Sequence, residues 1–137
     1  QRKLGSELKF VFRNFPLAKI HPNAFSAAVA TEAAGRQDKF WEMHDLVFEN
    51  QKTLDAEYIF HFADILRLDI EQFSYDIQLK ALIQKVEKDF ESGLRSGVNR
   101  TPTFFINGIK YEGSWSDDQL YQYLKSQLTE AFDQKLF

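Results

Sequence analysis

Asn107-Gly108 lies between two short β-prone runs, Thr103–Ile106 and Ile109–Tyr111. Asparagine and glycine take the left-handed conformations of a tight turn at little cost, so this dipeptide predicts a two-residue hairpin. What precedes the hairpin restricts the fold further. Leu8, Phe10 and Phe12 alternate with Lys9, Val11 and Arg13, the period-two pattern of a strand over Leu8–Phe15, and Pro16 ends it. Between these two β signals the period is helical. The order strand, five helices, hairpin, helix predicts an α/β domain with a helical insertion between its first strand and its hairpin.

The helices are read from caps and apolar spacing. Pro22 suits a first helical position, Ala24, Ala27, Ala28, Ala30, Ala33 and Ala34 favour helix and close approach, and Gly35 is a stop. Asp38 is expected to cap the next helix, which carries Trp41, Leu46 and Phe48. Asp55 opens a third, with Tyr58, Phe62, Ile65 and Leu66 as its apolar face; a short fourth holds Phe73 and Ile77. In the fifth, Leu79, Ile83, Val86, Phe90 and Leu94 align, and Gly93 and Gly97 weaken its end. Ser116 and Gln119 have capping-box spacing before a terminal helix with Leu120, Leu124, Leu128 and Phe132 as its stripe, and Asp117 and Asp118 suit its positive end.

With 44% hydrophobic residues and 14 phenylalanines in 137 positions, the chain has enough apolar mass for a core. Its net charge of -3, with both signs interspersed, argues against a nucleic-acid surface. The apolar runs are far shorter than the roughly 20 residues of a bilayer span. Zero cysteines exclude a disulfide framework, a thiolate metal site and a cysteine nucleophile together, and leave the compartment open. The sequence opens on Gln1, which is compatible with processing, trimming or a fragment.

Three stretches, Leu8–Leu17, Lys39–Leu46 and Gly97–Gly108, resemble bacterial DsbA-like thiol-disulfide oxidoreductases in this order and at about this spacing. The resemblance implies a thioredoxin-like portion over residues 1–17 and 95–137, a helical insertion over 18–94, and an extracytoplasmic, periplasmic setting. In that family a strand leads into a Cys-x-x-Cys turn and helix ahead of a strand like Leu8–Phe15. By this resemblance the present residues begin near the end of that helix, at Gln1–Gly5, so the strand and both sulfurs are missing. Dithiol exchange needs an attacking thiolate and a second, resolving sulfur; without them the reactant itself is absent. The residues given are therefore expected to be redox-inactive and to need no cofactor.

The resemblance makes Thr101-Pro102 a cis-proline loop, with the backbone at Thr101 pairing to a bound polypeptide as an added strand and Arg100 tuning nearby charge. The alternative for Pro102 is an ordinary trans proline opening a strand. A client polypeptide or redox partner protein is the implied partner. His21, His44 and His61 have no ligand-like spacing, and Phe40, Trp41, Phe48, Tyr58, Phe62, Phe73 and Phe90 are read as core packing. Trp115 is expected to cover the hairpin.

The missing strand would lie between Leu8–Phe15 and Thr103–Ile106, in mid-sheet. Losing about four buried apolar side chains at ~1.5–3 kcal/mol each rivals the stability of a whole domain. Closure of the flanking strands, strand exchange or a homodimer, or a segment outside these residues would repair it. Two further functional readings compete: a cysteine-free peptide-binding or structural module, and a glutathione-dependent isomerase or transferase of the same superfamily.

Overall fold

The computed structural model describes residues 3–116 and 118–135, with side chains described through Thr129. Gln1, Asp117 and the Phe132 side chain, all named above, lie outside the described residues. A 3₁₀ turn at Gly5–Glu7 is followed by α1 (Ala24–Gly35), α2 (Phe40–Glu49), α3 (Ala56–Ile65), α4 (Ile70–Asp76), α5 (Lys80–Arg95), β1 (Phe105–Ile106), β2 (Ile109–Lys110) and α6 (Gln119–Lys135). The chain divides into two compact units, residues 13–97 and residues 1–12 with 98–137. No helix is long and apolar enough to cross a membrane among the described residues.

In the helical unit, α1 is the hub because it is built from small residues. Ala27, Ala28, Val29, Ala30, Thr31, Ala33 and Ala34 are all buried, so α2, α3, α4 and α5 each pack on it. A helix surrounded in this way shows almost no polar face. At its end, a Cβ on Gly35 would stand 3.3 Å from the Phe40 Cβ, and glycine lets α2 begin this close. The core then runs through Met43 and Val47 of α2, Ile59, Phe62 and Ala63 of α3, Leu68, and Phe73 of α4. Asp55 caps α3 through its carboxylate, which accepts the Tyr58 N–H at 3.0 Å, and Asp69 does the same for α4 with the Gln72 N–H at 2.9 Å.

Three sequence expectations change here. Asp38 is not the cap of α2: it sits at φ 59 in the turn, and Lys39 holds the N-cap position without a side-chain bond. The buried face of α2 is Met43 and Val47, while Trp41 and Phe48 are 44% and 51% exposed. Tyr58 and Ile65 of α3 and Leu94 of α5 are likewise exposed, and Ile59 and Ala63 take the inward positions of α3. Side chains at i and i+4 share a helix face, but which of two overlapping faces turns inward depends on the partner helix. Beside α1, the slender Met43 and Val47 fit where Trp41 would not.

A charged cluster ties residues 13–14 to this unit. The Lys85 ammonium donates to Glu32 at 2.6 Å and Asp89 at 3.1 Å, the buried Asn14 amide donates to Glu32 at 2.8 Å, and Arg13 reaches Asp89 at 3.4 Å. The Phe15 and Phe90 rings meet alongside, 4.6 Å apart. Burial pulls the Lys85 pKa down, but its hydrogen bonds to the Glu32 and Asp89 carboxylates outweigh it and hold the pKa above its ordinary value. A raised lysine pKa stabilises the fold below the unfolded value and loses that contribution as pH climbs through the folded one. Lys85→Met should cost about 1–2 kcal/mol near neutrality, less than a fully buried pair because the ammonium is half exposed. Urea titrations at rising pH should show the gap between wild type and variant closing only above pH 10.5. A gap that has already closed below that pH would sink the assignment.

The second unit is thinly packed. Leu4 and Val98 are its buried apolar residues among the described ones. Phe105 pairs with Lys110 and Ile106 with Ile109 around Asn107-Gly108, both of which take positive φ. The hairpin therefore forms where expected but is shorter than Thr103–Ile106 and Ile109–Tyr111. The strand expected over Leu8–Phe15 is absent: residues 8–16 carry no ladder, and the only sheet among the described residues has two strands. Alternation prepares a segment for a strand, but a ladder needs a neighbouring backbone in register, which the segment's own pattern cannot supply. Of the two sheet edges expected around Phe10 and Phe105, Phe105 alone forms one. A 3₁₀ turn at Gly5–Glu7 follows the expected helix end at Gln1–Gly5, of which residues 1–2 lie outside the described ones, and the Gln119 N–H that opens α6 bonds to the Ser116 carbonyl oxygen.

Candidate functional site

The loop from Val98 to Phe104 leads out of the buried Val98 into the hairpin and carries all three residues singled out by sequence. The Thr101–Pro102 peptide bond is cis. Arg100, Thr101 and Pro102 are exposed, and the Arg100 carbonyl oxygen accepts the Thr103 hydroxyl at 2.6 Å, which shapes the loop around the proline. Neither the N–H nor the C=O of Thr101 has a hydrogen-bond partner among the described residues. Two main-chain groups of an exposed residue are thus left without a partner among the described residues next to Pro102.

Beside them is a cleft of about 40 Å³ bounded by Arg100, Pro102, Phe104, Tyr111, Gly113 and Trp115. A water molecule occupies about 30 Å³ of liquid, so this cleft takes a side-chain tip and not a small-molecule ligand, whose sites span roughly 300–1,000 Å³. Its walls follow from the hairpin. The Tyr111 N–H donates to the Phe104 carbonyl at 2.8 Å, extending the ladder, and the Tyr111 hydroxyl donates to the Ser114 carbonyl at 2.8 Å. The Tyr111 ring rests against Tyr123 of α6 at 5.0 Å. A Cβ on Gly113 would collide with the Tyr111 hydroxyl, so glycine is needed for the ring to lie there. Lys110 and Glu112 pair across the rim at 3.2 Å.

Trp115 has a second side. It also lines an apolar groove of about 380 Å³ with Leu4, Leu8, Leu120, Tyr121 and Leu124. At its rim Lys3 pairs with Asp118 at 3.5 Å and lies over the Tyr121 ring. The groove joins the start of the chain to α6 through side chains the sequence reading had assigned to separate elements. Trp115 was expected merely to cover the hairpin; instead it is 60% exposed and stands between cleft and groove.

A family model described as Thioredoxin matches residues 3–126. The chain belongs to the thioredoxin family. Its relatives carry a different name. The Na(+)/H(+) antiporter NhaA 1 of Mycolicibacterium vanbaalenii is 39% identical over 124 residues, which is 89% of this chain and 20% of that protein. The Na(+)/H(+) antiporter NhaA of Herminiimonas arsenicoxydans is 40% identical over 111 residues, 81% of this chain and 17% of the antiporter. For NhaA 1 of Salinispora arenicola the figures are 36% over 115 residues, 84% and 18%. The chain thus spans about a fifth of the length of the curated relatives it matches. No solved structure matches it significantly.

Within this thioredoxin-family chain, the loop residues named from sequence lie together, and Tyr111, Gly113 and Trp115 are the neighbours that sequence reading did not assign to them. The signal for Tyr111 was available: a two-residue turn at Asn107-Gly108 sets Phe104 opposite Tyr111. Trp115 had no comparable signal, since it follows the hairpin in an irregular segment. The three histidines stay in the helical unit and its approaches. His44 lies on α2 among the Phe40, Trp41 and Phe48 rings, with Nδ1 2.9 Å from Asp45 Oδ1. Among the described residues no group of three or more metal-ligating side chains converges. Among the described residues, cleft and groove offer main-chain hydrogen bonds and apolar contact, and no thiol, hydroxyl-imidazole pair or paired carboxylates line them.

Proposed function

We propose that this chain is the polypeptide-binding portion of a DsbA-like thiol-disulfide oxidoreductase, redox-silent in itself because it holds no cysteine. The observation that carries the reading is Thr101, an exposed residue whose main-chain N–H and C=O have no partner among the described residues, next to Pro102 in a thioredoxin-family chain. An extended client segment adds to that backbone as a short strand, the mode in which main-chain bonds supply affinity and side-chain pockets supply selectivity. Trp115 and the Leu4, Leu8 and Leu124 groove favour a segment with a hydrophobic side chain next to the paired residue. Arg100 favours neutral or acidic neighbours over basic ones. On this reading residues 1–17 and 95–137 are the thioredoxin-like part, residues 18–94 are a helical insertion, and the parent oxidises or isomerises disulfides outside the cytoplasm.

The relatives add a second element. Their similarity to this chain occupies only a fifth of proteins named as Na(+)/H(+) antiporters. We infer that a domain of this kind is carried by such transporters, so that the antiporter itself is a candidate partner or client. The cysteine-free binding module is the same site without a redox parent, and the polypeptide, not a small thiol, is the ligand in both.

Titration of the isotope-labelled chain with an extended apolar peptide should shift the Thr101 and Thr103 amide resonances in a saturable way. The same peptide N-methylated at its pairing residue should lose most of that response, because one of the main-chain hydrogen bonds is deleted. Equal binding of both peptides, or a response confined to residues far from Thr101, would refute the proposal. In an insulin-reduction assay the chain should show no turnover.

A further inference from the structure

Asparagine before glycine is a chemically open dipeptide: the glycine nitrogen can approach the asparagine side-chain carbonyl with no Cβ beside it to obstruct the way. Five asparagines occur in the chain, and Asn107 alone precedes a glycine. Their surroundings separate them further. Asn14 is buried and its amide donates to Glu32 at 2.8 Å, while the amides of Asn23 and Asn50 donate to the Leu54 and Leu46 carbonyls at 2.6 Å and 2.8 Å. Asn99 is followed by the long side chain of Arg100. Asn107 and Gly108 are exposed, and neither the Asn107 amide nor the Gly108 N–H has a hydrogen-bond partner among the described residues. Nothing lies within 4 Å of the point where a Gly108 Cβ would stand. These properties belong to the turn itself and do not depend on what pairs with the strands it joins.

We infer that Asn107 is a self-modification site that deamidates through a cyclic imide, and that one of its products acts as a slow, one-way control on the hairpin and the peptide site beside it; the link to peptide binding rests on the proposal for Thr101 above. The Gly108 nitrogen gives its proton to hydroxide and bonds to Asn107 Cγ. The Cγ–Nδ2 bond then breaks, and the nitrogen leaves as ammonia after taking a proton from water. A second water opens the imide at one of its two carbonyls, so the net change is one water consumed and one ammonia released. Opening at Cγ gives aspartate, and opening at the main-chain carbonyl gives isoaspartate, in which the chain runs through the side-chain carboxyl. The two products act differently on the hairpin. Asp-Gly makes the same two-residue turn as Asn-Gly, so aspartate keeps the pairing. Isoaspartate inserts an extra main-chain carbon into a turn closed by φ 51 at Asn107 and φ 83 at Gly108, and Ile106 and Ile109 no longer meet in register. The disturbance passes along the ladder to the Tyr111 N–H and the Phe104 carbonyl, and with them to the wall of the cleft beside Pro102.

Tryptic mass spectrometry tests it, because cleavage after Arg100 and Lys110 isolates Thr101–Lys110, in which Asn107 is the sole amide side chain. After incubation of the folded chain in mildly alkaline buffer, that peptide should yield two products of equal mass, each heavier by the exchange of an amide for an acid. Asn14, Asn23, Asn50 and Asn99 should stay unchanged over the same period. Conversion should quicken in proportion to hydroxide and vanish in Asn107→Gly, whose Gly-Gly pair still makes the turn. Asn107 left intact in the folded chain when the same synthetic peptide has converted fully overturns the site. The isoaspartate form, separated by chromatography, should exchange its Tyr111 amide hydrogen far faster than wild type and lose most of the Thr101 response to the apolar peptide. Asn107→Asp should keep both. An isoaspartate form that retains its Tyr111 protection, or its peptide response, overturns the control. Wild type that binds no peptide at all sinks the Thr101 site alone, and leaves the modification and its effect on the hairpin to be judged by mass and Tyr111 exchange.

Discussion

Phe73→Ala should lower the stability of the helical unit by about 3–5 kcal/mol, a large part of what a domain of this size possesses. Phe73 is fully buried at the centre of the core, its ring edge-on to Phe60 at 5.7 Å. Truncation removes both its transfer from water and its packing, and the neighbours are poorly placed to fill the void. The α1 residues in the same core cluster are Ala27, Ala30, Ala33 and Ala34, whose single methyl groups cannot reach into the void. The midpoint of urea unfolding, followed by circular dichroism, should fall steeply without loss of the helical baseline at low denaturant. A cost below about 1 kcal/mol would mean the site collapses freely, and the rigid α1 hub described above would be wrong.

Arg36→Met should be the costliest surface-accessible change, at about 2–4 kcal/mol, although its side chain is half exposed. Its Nε lies 3.0 Å from Asp76 Oδ1, and Asp76 is fully buried. The Gln72 amide also donates to Oδ1, at 2.9 Å, whereas Oδ2 has no hydrogen-bond partner. Removing the guanidinium leaves a buried carboxylate with one neutral donor, a deficit that neighbouring apolar contacts do not offset. The reverse change is milder, since Arg36 can turn to water when Asp76 becomes asparagine. The double variant Arg36→Met, Asp76→Asn should therefore be more stable than Arg36→Met alone. Additive losses in that double-mutant cycle would show that the two side chains do not act as a pair.

The two units differ in how much of them was legible. In the helical unit the elements themselves were readable, because a helix makes its hydrogen bonds within its own segment and announces its ends with local groups such as the Asp55 carboxylate. In the terminal unit the hairpin was readable for the same reason: Asn107-Gly108 fixes the turn and, with it, the pairing of Phe105 with Lys110. The Leu8–Phe15 pattern was equally clear as a pattern and still produced no strand. Its hydrogen bonds depend on a partner elsewhere, and a period-two sequence cannot supply one. The site divides along the same line. Arg100, Thr101 and Pro102 stand together as neighbours in the chain, whereas Trp115 and Leu8 meet only after folding.

Composition alone settled that these residues hold no cysteine sulfur for exchange chemistry, and local sequence settled the order of six helices and one hairpin turn. The tertiary structure decided which helix faces turn inward, placing Met43 and Val47 where Trp41 and Phe48 had been expected, and which extended segment finds a ladder. It also joined Asn14, Glu32, Lys85 and Asp89 into one charged cluster. Local order is set by groups within a few residues of each other. Burial, sheet formation and charge pairing are set by whatever surface the rest of the chain brings near, and no short stretch of sequence contains that information.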